Sequence, residues 1–172
     1  MEVFIINVCN TEKVSIETLK KHQKKEFSDE NKWKIHCLSY VLVDKILQEV
    51  YGIENPEIVF EDNKPILLDG GKYFSISHSE EYIALAFSDT NCGVDIEKFK
   101  LREFEKISER MGFEANTLGE FYEEWTRYEA MYKLGTNEEY GSVATFDLDG
   151  YILTAVSEDP CEDFELYFQN QE

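Results

Sequence analysis

Apolar positions fall into two rhythms along the chain. "VFIINV" near the start is continuous enough for a buried first strand. "SIETLKKHQKKEF" reads as a short polar helix. From Ser28 and Asp29, possible cap residues, Trp33, Cys37, Leu38, Val41, Leu42, Ile46 and Val50 recur at helical spacing, and Gly52 can end that helix. "EIVFEDNKPIL" is predicted as a strand entering a turn at Asn63-Lys64-Pro65, and "YFSISHS", "YIALAFS" and "GVDIEKF" as three further strands. Residues 101–118 are expected to be helical, and "LGEFYEEWTRYEAMYKLG" is a helix ending near Gly135. "VATFDLDGYILTAVS" is a hairpin turning at Asp149-Gly150. Antiparallel strand pairs mixed with helices predict an α+β fold.

Composition bounds the size and the partners. The 172 residues suit one compact unit, or two small halves sharing a core, and 42% hydrophobic residues can fill it. Seventeen basic against 36 acidic residues give a net charge of −19, which disfavours nucleic acid and anionic membranes as partners. The four cysteines are scattered without a C-x-x-C pair, so neither a zinc site nor a disulfide framework is indicated. A reduced cytoplasm fits. The opening strand lacks the basic flank of a signal peptide and is too short to span a membrane. Six of the ten basic residues in the first 90 positions lie between Lys20 and Lys34. Such a cluster on an acidic chain suggests a local anion, although a solvated helix face is commoner.

Three pieces carry candidate chemistry. Asp95 and Glu97 are two apart on a strand and project from one face, with Val94 and Ile96 turned to the core. Two such carboxylates call for a cation, and a site of few carboxylates completed by phosphate oxygens suits Mg²⁺; two wet acids on an amphipathic strand are the plainer explanation. Trp125, Glu129 and Lys133 line one helix face at i, i+4 and i+8, either as a surface ion pair or as a further carboxylate and a cation drawn toward the same site. His78 ends an alternating strand among Ser75, Ser77 and Ser79, where it can donate to a phosphate or simply face solvent.

In order, "NKPIL", "FSISHS", "GVDIEKF" and "FYEEWTRYEAMYK" resemble the successive motifs of 4′-phosphopantetheinyl transferases of the monomeric, surfactin-synthetase-activator type. The resemblance covers residues 63–133; the first third matches only in layout. It implies two similar α+β halves related by a pseudo-twofold axis, with coenzyme A and Mg²⁺ between them. The halves would span residues 1–90 and 91–172. It implies a holo-[acyl-carrier-protein] synthase activity, in which the 4′-phosphopantetheine arm of coenzyme A passes to a serine of an apo carrier protein. By the same resemblance Asp95, Glu97 and Glu129 hold the metal, and Glu129 and Lys133 serve catalysis. His78 meets the 3′-phosphate with Ser77 beside it in the same coenzyme A-binding motif, Lys64 and Pro65 flank the adenine, and Lys20 and Lys24 stand where the family places basic residues against the phosphate.

The chain also departs from the pattern. Tyr128 replaces a lysine common before the helix glutamate, and the glycine-rich segment after Lys133 shrinks to "LGTNEEYGSV". A −19 enzyme is not steered toward acidic carriers by its overall field. Two other functions use the same residues: a non-catalytic binder of coenzyme A or carrier protein, and a metal-dependent phosphohydrolase.

Overall fold

The computed structural model describes residues 1–10, 13–135 and 141–169. Nine strands and four helices are assigned among them: β1 (Glu2–Asn7), α1 (Ile16–Lys21), α2 (Glu30–Glu49), β2 (Ile58–Glu61), β3 (Lys64–Leu67), β4 (Tyr73–Ser79), β5 (Tyr82–Ser88), β6 (Cys92–Lys98), α3 (Glu105–Met111), α4 (Leu118–Leu134), β7 (Ser142–Leu148), β8 (Tyr151–Ser157) and β9 (Glu165–Gln169). The mixed α+β architecture agrees with the sequence pattern.

The strands form a four-stranded sheet, β4-β5-β1-β9, a three-stranded sheet, β6-β8-β7, and the separate hairpin β2-β3. Alternation explains the layering. Phe4 and Ile6 of β1 join Ile83, Leu85 and Phe87 of β5 in a core with Tyr40, Val43, Ile46 and Leu47 of α2. On the opposite face, Val3, Ile5, Ala84 and Ala86 meet Val94, Ile96, Leu153 and Ala155 of the second sheet. The outer face of that sheet carries α4, through Ala130, Met131 and Leu134 on Val156 and through Phe121 and Tyr122 on Ile152. The expected boundary at 90/91 falls between β5 and β6, while β9 returns to pair in parallel with β1.

Helix α4 starts at a capping box between Thr117 and Glu120 and stops at Gly135, whose φ of 97° suits glycine. It lies close on β6 because residue 93 is glycine: a Cβ there would meet the Ala130 carbonyl oxygen at 2.0 Å. That approach brings α4 over Asp95.

Four expectations need correction. The tight turn of the β2-β3 hairpin is Asp62-Asn63, with φ of 46° and 66°, because Asp and Asn tolerate the left-handed region. Lys64 and Pro65 lie instead on β3, opposite Glu61 and Phe60. Helix α1 ends at Lys21, since it buries no residue and runs into a lysine-rich stretch. Within 101–118, only Glu105–Met111 and the start of α4 are helical. Strand β9 was not expected at all. The shortened loop's residues 136–140 lie outside the described residues.

Candidate active site

β4 and β6 are edge strands of different sheets, and they meet through serine side chains. Ser75, Ser77 and Ser79 accept the main-chain N–H groups of Val94, Ile96 and Lys98 at 3.1, 3.3 and 3.0 Å. Ser77 Oγ also donates to Asp95 Oδ1 at 2.7 Å, and Ser79 Oγ to Glu97 Oε2 at 3.1 Å. Period-two alternation puts these serines on one side of β4, with Phe74 and Ile76 on the other.

From α4, Lys133 Nζ donates to Asp95 Oδ1 at 2.8 Å and to the Val94 carbonyl at 3.0 Å. Asp95 is only 6% exposed, and its Oδ2 is buried without a hydrogen-bond partner. Burial, and then the charge of Asp95, raise the pKa of Glu97, against hydrogen bonds from Ser79 and Trp125. The same two causes raise that of Glu129, opposed by Lys133. Asp95 is thus the hub shared by Glu97, Glu129 and Lys133.

A basic strip continues around β4. His78 is exposed by accessible area, yet enough protein crowds its ring that desolvation, followed by Lys133, lowers its pKa, while Asp95 opposes. Next to it, His36 of α2 sits between the rings of Phe27 and Tyr40, at 4.8 and 5.0 Å, and its buried Nε2 has no partner. Burial, then Lys25, His78 and Lys24, lower its pKa to about 4. Lys24 lies over the Tyr40 ring and Lys25 over the Phe27 ring.

Hydrogen bonds tie Ser77 and Lys133 to Asp95, charge interactions set Glu97, Glu129 and His78 near Asp95, and Lys24 lies farther on, near His36. Lys20 stands exposed in the last turn of α1, and among the described residues no side-chain contact ties it to that strip. Lys64 has an internal partner set: its Nζ donates to Asn91 Oδ1 and, at 3.4 Å, to the Leu134 carbonyl at the end of α4. Burial lowers its pKa. Tyr128 packs its ring against Phe113 and Trp125, with centroids 6.0 and 6.4 Å away. Lys25, His36 and Ser79 escaped the sequence-based site. The repeat of serine at every second position in "SISHS" was the signal available for Ser79.

Mg²⁺ is the cation that the resemblance implies. Among the described residues no three His, Cys, Asp or Glu side chains are grouped to hold a metal ion as they stand. The donor set nevertheless fits one chemically: Asp95 Oδ2 is an orphaned buried acceptor, and Asp95 repels both Glu97 and Glu129.

Among known proteins, the chain is similar to the 4′-phosphopantetheinyl transferase gsp of Aneurinibacillus migulanus, with 30% identity over 126 residues. The alignment covers 65% of this chain and 52% of that protein. The chain spans about half the length of the curated relative it matches. No family model matches it. Among the described residues, no helix is long and apolar enough to cross a membrane.

Proposed function

We propose that this chain is a 4′-phosphopantetheinyl transferase of the surfactin-synthetase-activator type, acting as a monomer in the cytoplasm. It moves the phosphopantetheine arm of coenzyme A to a serine of an apo acyl or peptidyl carrier protein and releases adenosine 3′,5′-bisphosphate. The observation that carries this reading is the junction at Asp95 of an acidic cluster and a basic strip. Asp95 leaves one buried oxygen unpartnered, while His78, His36, Lys24 and Lys25 continue the strip away from it.

The residues divide the work by charge. Asp95, Glu97 and Glu129 would hold Mg²⁺. When bound, that ion screens the pyrophosphate and acts as a Lewis acid on the phosphorus under attack. Lys24, Lys25 and His78 bind the 3′-phosphate and anchor the donor. The carrier serine attacks the phosphorus bearing the pantetheine arm, and the bond from that phosphorus to the bridging oxygen breaks. A carboxylate of the acidic cluster takes the serine proton. Lys133 faces the charge developing on the departing phosphate. Positioning and electrostatics do most of the work in such a transfer.

Incubation with coenzyme A, Mg²⁺ and an apo carrier, read by intact mass, tests the proposal. The carrier is expected to gain one phosphopantetheine. Coenzyme A binding without any gain supports the non-catalytic binder, and coenzyme A cleavage without carrier modification supports the phosphohydrolase.

A further inference from the structure

The three serines of β4 do two different jobs, and β6 reveals the difference. A hydroxyl has one proton to donate and lone pairs to accept with. Each serine spends its acceptor capacity on a β6 N–H, which joins two sheets that share no main-chain ladder. The protons of Ser77 and Ser79 go to Asp95 and Glu97. The third outward position of β6 is Gly93, so Ser75 meets no carboxylate there.

We propose that Ser77 and Ser79 are positioning residues that aim the Asp95 and Glu97 carboxylates at a divalent cation. This rests on the reading of those two acids as cation ligands. Ser77 takes Asp95 Oδ1, which Lys133 shares, and thereby leaves Oδ2, the buried oxygen without a partner, for the ion. Ser79 fixes one oxygen of Glu97, a side chain that Trp125 also holds. Each carboxylate is thus locked through a hydroxyl to the N–H of the next residue on its own strand, Ile96 for Asp95 and Lys98 for Glu97.

Mn²⁺ titration of the whole chain, without coenzyme A or carrier and read by electron paramagnetic resonance, separates this role from seam-building. Loss of an outer hydrogen bond to a metal ligand typically costs about 10–100-fold in affinity. Ser77→Ala and Ser79→Ala are expected to weaken Mn²⁺ by at least about tenfold. Ser75→Ala removes the same kind of seam bond and should leave Mn²⁺ affinity unchanged, with a comparable fall in melting temperature. Ser79→Thr keeps the hydroxyl and should bind as the wild type does. If an alanine variant fails to fold, Ser77→Cys and Ser79→Cys, close in size but poor donors, replace it and should show the same loss. Equal affinity in all variants, or an equal loss in Ser75→Ala, overturns the inference while leaving the proposed function standing. Absence of Mn²⁺ binding by the wild type overturns the cation site of the proposed function, and the inference falls with it.

Discussion

At the α4 end of the strip, Asp95 takes the Lys133 ammonium, its charge acts on Glu97 and Glu129, and the β4 serines hold Asp95 and Glu97. At the α2 end, Lys24, Lys25 and His36 gather around aromatic rings, and no carboxylate pairs with them among the described residues. In a chain with 36 acids and 17 bases, a spot that lacks acids is a selective feature. The acidic end has excess negative charge and an unsatisfied oxygen, and the basic end has excess positive charge and an unsatisfied nitrogen. The difference teaches that each end is incomplete in the opposite sense. On the function proposed above, a divalent cation would complete the first and a phosphate the second, and a ligand carrying both a pyrophosphate and a phosphomonoester would span the two.

The largest effect is expected from Asp95→Asn, which keeps the shape and removes the charge at the hub. Carrier modification should fall by at least about 10²-fold, since a misplaced or missing cation forfeits several kcal/mol of transition-state stabilisation. A variant that keeps its melting temperature and more than a tenth of the rate would break the account of the acidic end.

Lys64→Met comes next and sharpens where the basic end stops. Lys64 holds Asn91 and the Leu134 carbonyl at the end of α4, so the expected loss is about 1–3 kcal/mol of stability by urea denaturation, with coenzyme A affinity unchanged. A large loss of affinity at constant stability would return Lys64 to the ligand, as the motif resemblance implies. A smaller cost, about 0.5–1.5 kcal/mol, is expected for Tyr128→Lys, which gives up ring contacts with Phe113 and Trp125. Its coenzyme A affinity should hold or rise; a fall in a folded variant would make the tyrosine part of the ligand site.

A pH dependence is expected at the basic end. His36 has a folded pKa of about 4, lowered by burial and by Lys25, His78 and Lys24, against about 6.5 when unfolded. The folded state favours neutral His36. Its contribution to stability is therefore present above pH ~6.5 and is lost as pH falls from ~6.5 to ~4. His36→Phe should flatten the stability profile in that window relative to the wild type. An identical slope in both proteins would show that the histidine is not held neutral by burial and its cationic neighbours.

Much of the α4 end was legible in the sequence because its logic is local. The i,i+2 pair Asp95 and Glu97 and the i,i+4,i+8 row Trp125, Glu129 and Lys133 project as strand and helix periods require. The core strands β4, β5 and β6 were legible for the same reason. What escaped depends on contacts between distant segments. Strand β9 pairs with β1 across almost the whole chain, and five residues carry too little pattern to announce it. Lys64 looked like a turn residue because its partner, the end of α4, is 70 positions away. The serines gain a second role only when β4 lies beside β6. His36 becomes part of the strip only when α2 packs on the sheet that presents His78.

That one ligand bridges the two ends is tested most directly by calorimetric titration of coenzyme A and dephospho-coenzyme A into the wild type and His78→Ala. The two ligands differ only by the 3′-phosphate. A charge-assisted contact of about 1.5–3 kcal/mol corresponds to roughly 10–100-fold in affinity. The wild type is expected to bind coenzyme A more tightly by that factor. His78→Ala should erase most of the difference and leave dephospho-coenzyme A binding unchanged. Equal affinities in the wild type, or equal losses for both ligands in the variant, would contradict it.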